Sequence, residues 1–289
     1  MNVHVTNPHG YCMGVISAID MAKATKKQFP DRPVVVLGML VHNREVVELL
    51  AKQGIETLQD PEKSLEALLL SVDPKAIVIF TAHGHDRKLE KIARERGIEF
   101  RDATCVKVSK NMDIIEAALK DGHDVLYIGK RNHPETTAAL SLGKRVFLLD
   151  KDIPFDYEKV KDPSPLVVNQ TTLSFLELAH IHADITAHLP DARVLDEICS
   201  ATRLRQQAVL DIPEDVEAIF IVGSPESANT EKLAEVARLS HPRARVIKIK
   251  TVADIDSRPY SSSSKVAVAS GASTPLETTE NVIKLLKSI

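Results

Sequence analysis

Three cysteines, Cys12, Cys105 and Cys199, are the only thiols in a chain of 289 residues, and they stand 93 and 94 residues apart. Each ends a strand-like run and opens a helix-like one, where a helix macrodipole favours thiolate over thiol. Thiols at matched phase have two readings. They can be unrelated buried side chains, the common fate of a free cysteine, or they can converge on a metal centre. Structural zinc prefers four ligands in close pairs of the C-x-x-C kind, and the sequence has no such pair. Iron–sulfur clusters accept ligands far apart in sequence, although the common electron carriers supply four cysteines. Three would leave one iron of a 4Fe–4S cubane without a protein ligand, and therefore free to meet a substrate.

Polar residues recur at the same phase. His42, His83 and His133 each follow a strand-like run, and Thr171, Ser227, Asn229 and Ser273 add hydroxyls and an amide in equivalent places. Hydrogen-bond donors gathered at helix N-termini suit a phosphate or diphosphate. Thr171 and Ser227 could equally be plain helix caps. No G-x-x-x-x-G-K-[ST] sequence is present, so nucleoside triphosphate binding gains no support. In "NHPETT", Glu135 is a carboxylate beside a histidine on a strand-end loop, able to give or relay a proton. His180, His182 and His188 lie in an amphipathic run and read as solvated or helix-end histidines. His9, three residues before Cys12, is open to a role in the cysteine loop or toward a phosphate.

The elements that must position these residues are short. Candidate strands are 2–5, 34–38, 76–80, 98–103, 124–128, 145–149, 165–169, 193–198, 218–222, 245–250 and 265–269. Helix-period stretches such as "NREVVELLAKQG" and "SANTEKLAEVARLS" separate them. Near-continuous apolar strands between helices predict an α/β fold of mostly parallel sheets covered on both faces. Each third of the chain repeats the same order, with one cysteine and two polar loops just after strands, where open parallel sheets bind ligands. The expected organisation is three similar α/β units about a pseudo-threefold axis. Their boundaries are 14–104, 105–195 and 196–289, the last joined by 1–13.

Bulk properties narrow the class. Lys plus Arg is 37 against 40 for Asp plus Glu, a net charge of −3, which argues against a nucleic-acid binder. No apolar run reaches the 18 residues of a membrane span, and "MNVHVTNPHGYC" lacks the features of a signal peptide. The expected location is the cytoplasm, where three cysteines seldom form disulfides.

Taken in order, "NPHGYCMGV", "VHN", "TAHG", "DATC", "NHPE", "NQTTLS", "EICSATRLRQ" and "SGASTP" resemble the motifs of the 4-hydroxy-3-methylbut-2-enyl diphosphate reductase (LytB/IspH) family. The resemblance implies a trefoil around one 4Fe–4S cluster held by Cys12, Cys105 and Cys199. It implies that His42, His83, His133, Thr171, Ser227, Asn229 and Ser273 hold a substrate diphosphate, and that Glu135 relays a proton. Thr171 or Thr172 would order the substrate hydroxyl or a water. The implied reaction is reductive dehydroxylation to isopentenyl and dimethylallyl diphosphate in the non-mevalonate isoprenoid pathway. Its electrons would come from an external donor of ferredoxin or flavodoxin type. The chain departs from the family pattern at His9, at Thr136–Ala138, at Ala269–Ser270, and at Ala228, where a serine of a Ser-Ser-Asn run is missing. Those departures leave two other uses of a three-cysteine cluster open: action on a different substrate, and sensing.

Overall fold

Runs such as Val34–Leu37 and Ile77–Phe80 carry large apolar side chains at every position. A strand of that kind is satisfied only when both of its faces are covered. The computed structural model, which describes residues 1–289, covers them with helices. The chain opens with β1 (Asn2–Val5) and α1 (Met13–Gln28). A first set follows: β2 (Val34–Leu37), α2 (Arg44–Ala51), β3 (Ile55–Leu58), α3 (Leu65–Ser71), β4 (Ile77–Phe80), α4 (Arg87–Glu95) and β5 (Glu99–Asp102). The helix α5 (Val106–Lys120) leads to β6 (Val125–Ile128), α6 (Pro134–Ser141), β7 (Val146–Leu149), β8 (Leu166–Asn169), α7 (Phe175–His188) and β9 (Arg193–Val194). The helix α8 (Ser200–Leu210) leads to β10 (Ala218–Val222), α9 (Ala228–Ser240), β11 (Arg245–Ile249), β12 (Lys265–Ser270) and α10 (Leu276–Ser288).

The strands form three four-stranded sheets in the orders β3-β2-β4-β5, β7-β6-β8-β9 and β11-β10-β12-β1. Every pairing is parallel. All three sheets share one plan: the second strand lies outside the first, and the third and fourth follow on the other side. In the third sheet the fourth strand is β1, which pairs with β12 in the register Asn2↔Lys265 to Val5↔Val268. Val34 and Val36 bury on one face of their sheet, Val35 and Leu37 on the other, so alternate residues feed two cores. Each such side chain contributes roughly 1.5–3 kcal/mol of burial.

The cysteine spacing now has a structural cause. Cys12, Cys105 and Cys199 are the N-cap residues of α1, α5 and α8. Each follows the fourth strand of one sheet, and its helix packs onto the next: Ala18 of α1 on the first sheet, Ile115 of α5 on the second, Val209 of α8 on the third. The interval between cysteines is therefore the length of one unit.

Two elements differ from expectation. The edge strand β3 reads poorly as a strand, since only Ile55 of "IETL" is fully buried. The run 193–198 pairs only at Arg193–Val194; beyond it, the Glu197 backbone N–H turns to the Asn169 side chain at 2.9 Å. No helix is long and apolar enough to cross a membrane.

Candidate active site

The centre of each sheet lies between its first and third strands, and the loops leaving those two strands face the middle of the molecule. His42 follows β2 and His83 follows β4; His133 follows β6 and Thr171 follows β8; Ser227 and Asn229 follow β10 and Ser273 follows β12. The backbone N–H of each cysteine donates to a third-strand loop of its own sheet: Cys105 to Ala82 at 3.0 Å, Cys199 to Thr171 at 3.1 Å, and Cys12 to Ala272 at 2.9 Å. These three bonds fix the cysteines equivalently. The structure brings all but one of the candidate residues to one cavity, lined by Cys12, Cys105, Cys199, His42, His83, His133, Glu135, Thr171, Ser227, Asn229 and Ser273. His9 is not among the lining residues; its ring bonds the Thr6 carbonyl within its own loop.

The three cysteines are free and line the same cavity. No group of three His, Cys, Asp or Glu side chains is set closely enough to hold a single metal. A Cβ built on Gly14 would lie 2.6 Å from Cys105 Sγ and 3.9 Å from Cys12 Sγ. The space beside those sulfurs is thus open only because residue 14 has no side chain. Three cysteine sulfurs lining one cavity are the soft donor type that an iron–sulfur group takes. The expectation of easy ionisation needs correction at Cys105. Burial pushes its thiol up, and the backbone N–H groups of Lys107 and Val108 only partly oppose this. Cys199 Sγ lies 3.1 Å from Thr202 Oγ1 and accepts the Thr202 backbone N–H at 3.4 Å.

The histidines form a cluster of their own. The His42 and His83 rings stack with centroids 4.0 Å apart, and His133 stands 5.8 and 5.9 Å from them. Nε2 of His42 and Nε2 of His83 are buried with no protein partner. Orphan buried polar atoms require an explanation, and an anionic ligand supplies one. His133 accepts the Glu135 backbone N–H on Nδ1 at 3.2 Å, so its neutral ring carries the proton on Nε2. Burial, then the charges of His42 and Lys130, lower the His133 pKa to about 3. Burial and both neighbouring rings hold His83 well below the ordinary range. The trio is neutral before an anion arrives.

Glu135 is the other buried titratable group. Thr171 donates its backbone N–H to Oε1 at 2.9 Å and its hydroxyl to Oε2 at 3.0 Å, while the Tyr127 hydroxyl donates to Oε1 at 3.2 Å. These bonds favour the carboxylate, but burial outweighs them and raises the Glu135 pKa to about 7. Ser227 caps α9 through the Thr230 N–H, whereas Thr171 caps no helix. Asn229 bonds the Ala272 N–H through Oδ1 at 2.9 Å and Thr202 Oγ1 through Nδ2 at 3.2 Å. A hydrogen-bonded path therefore runs from the Ser273 loop through Asn229 and Thr202 to Cys199.

Reasoning from sequence missed Gly14, Thr202 and Tyr127. Gly14 and Thr202 stand within three residues of a cysteine, which is the only signal that could have marked them. Tyr127 lies inside the strand-like run "DVLYI" and reads as core.

Three parallel sheets around one lined cavity, each handing it a helix-capping cysteine, define an α/β trefoil with a central small-molecule site. The chain belongs to the LytB family: the family model described as "LytB protein" matches residues 3–287. It is 38% identical to a 4-hydroxy-3-methylbut-2-enyl diphosphate reductase of Geobacillus thermodenitrificans over 99% of this chain and 90% of that protein. A reductase of the same name from Brevibacillus brevis is 37% identical over 99% of this chain and 92% of its own length. Among solved structures, the E-1-hydroxy-2-methyl-but-2-enyl-4-diphosphate reductase of Plasmodium falciparum superposes with a TM-score of 0.88 at 28% identity, covering 99% of this chain and 87% of that one. A structure described as (E)-4-hydroxy-3-methyl-but-2-enyl diphosphate reductase, the terminal enzyme of the non-mevalonate pathway, superposes at 0.68 and 25% identity over the full length of both chains.

Proposed function

We propose that this chain is an oxidoreductase that converts (E)-4-hydroxy-3-methylbut-2-enyl diphosphate to isopentenyl and dimethylallyl diphosphate. One observation carries the reading: three cysteines, three neutral histidines and a buried glutamic acid open onto a single cavity. Cys12, Cys105 and Cys199 would hold one 4Fe–4S cluster, which when bound supplies single electrons and a Lewis-acidic iron without a protein ligand. The electrons come from a separate ferredoxin- or flavodoxin-type protein. His42, His83, His133, Ser227, Asn229 and Ser273 bind the diphosphate, and its binding energy orients the reacting carbon and its hydroxyl. Thr171 serves the proton path. Thr171 lines the cavity and its hydroxyl bonds Glu135 Oε2, so a proton on Oε2 can pass to Thr171 Oγ1 while the hydroxyl's own proton moves to the departing oxygen.

The test is anaerobic reconstitution followed by iron and sulfide analysis and by oxidation of reduced methyl viologen. About four irons per chain and viologen oxidation that depends on the hydroxymethylbutenyl diphosphate are expected. Turnover without any reductant would point instead to a hydro-lyase, and a stable cluster with no turnover to a sensor.

The neutral histidine trio makes a second prediction. A bound diphosphate favours protonated histidine, so the pKa values of the trio rise on binding and affinity strengthens as pH falls from 8 to 6. Each proton taken up changes the dissociation constant about tenfold per pH unit. Calorimetric titration with inorganic diphosphate measures this slope, and His83→Asn is expected to flatten it. An equal slope in both proteins would show that His83 takes up none of the protons.

A further inference from the structure

Arg205 is the buried charge that the reaction leaves unused. It lies on α8, six residues after Cys199, and only 4% of it is exposed. Nη2 donates to the Gly10 carbonyl at 2.7 Å and Nη1 to the Ala201 carbonyl at 3.1 Å, while Nε is buried with no partner. No carboxylate pairs with it; the two carbonyls it bonds belong to residues two before Cys12 and two after Cys199. A cation buried without a counter-charge is strongly unfavourable. The fold nevertheless places this one between two cysteine loops, with the Gly10 bond tying the loop before Cys12 to the helix after Cys199.

Resting on the reading of the three cysteines as cluster ligands, we propose that Arg205 is the built-in counter-cation of the cluster and sets its reduction potential. A 4Fe–4S core with three thiolate ligands carries net negative charge, and one added electron makes it more negative. A fixed guanidinium nearby stabilises the reduced form more than the oxidised form, because attraction scales with the charge it meets. Buried surroundings enlarge the effect. Arg205 is a positioning residue: it holds the Cys12 loop and biases electron entry without touching substrate.

The experiment is an anaerobic dithionite titration of the reconstituted holoprotein, followed by electron paramagnetic resonance, for wild type, Arg205→Gln, Arg205→Met and Arg205→Lys. The two charge-free variants are expected to lower the reduced-to-oxidised ratio at fixed poise at least tenfold, a 59 mV fall in potential. Lysine keeps the charge and is expected to stay within about threefold of wild type. Gln and Met variants that fold but take up no cluster, while Lys takes it up, would also support the counter-charge. Unchanged potentials in charge-free variants holding four irons would overturn it, as would an equal shift in all three. Failure of both charge-free variants to fold without metal would show that Arg205 serves the protein's own packing. A wild-type chain that takes up no cluster would instead refute the cluster reading itself.

Discussion

Glu135→Gln is expected to lower kcat by about 10²–10⁴-fold, the usual contribution of a positioned general acid, while diphosphate affinity changes little. Glutamine preserves the volume and can still accept from Thr171 and Tyr127, so the fold is undisturbed. It cannot release a proton. The pH profile separates this role from a packing role. With its pKa raised to about 7 by burial, Glu135 is protonated below that value and ionised above it. If the protonated form feeds the leaving oxygen, wild-type kcat is highest below pH 7 and falls about tenfold per unit above it, and the glutamine variant loses that limb. A variant with wild-type turnover and an unchanged profile would remove Glu135 from the proton path.

Cys105→Ser is expected to leave less than about 1% of wild-type reductase activity, since two thiolates and a hydroxyl are a poor ligand set for iron–sulfur chemistry. The loss should follow iron and sulfide content rather than folding. Cys105 is the N-cap residue of α5, a position that serine suits, so serine costs little in the metal-free chain, and its Tm is expected within about 4 °C of wild type. Melting curves with iron analysis of the same samples decide it. Full iron content in the variant would exclude Cys105 as a ligand.

The sequence made the plan of this molecule legible because each unit repeats one order of elements and each cysteine marks a junction. Phase alone therefore located the three thiols and six strand-end loops. What it could not show are contacts between residues far apart. The Thr171–Glu135 pair spans two loops of one sheet, and the Arg205–Gly10 bond joins residues 195 positions apart. Neither leaves a periodic trace. Tyr127 looks like core because it is core; only its hydroxyl reaches Glu135. The strand β3 was hidden for the opposite reason, since a partly exposed edge strand needs no apolar run.

The pairing of β1 with β12 puts a constraint on time. The loop before Cys12 is held by residues near the far end of the chain: Gly10 N–H bonds Ser270 Oγ, and Cys12 N–H bonds the Ala272 carbonyl. At about 5–20 residues per second, the ribosome delivers those partners roughly 10–50 s after Cys12. Until then the loop of the first cysteine lacks two of the bonds that hold it, however well the earlier sheets have folded. The three-cysteine site is thus complete only once the loop after β12 has been made.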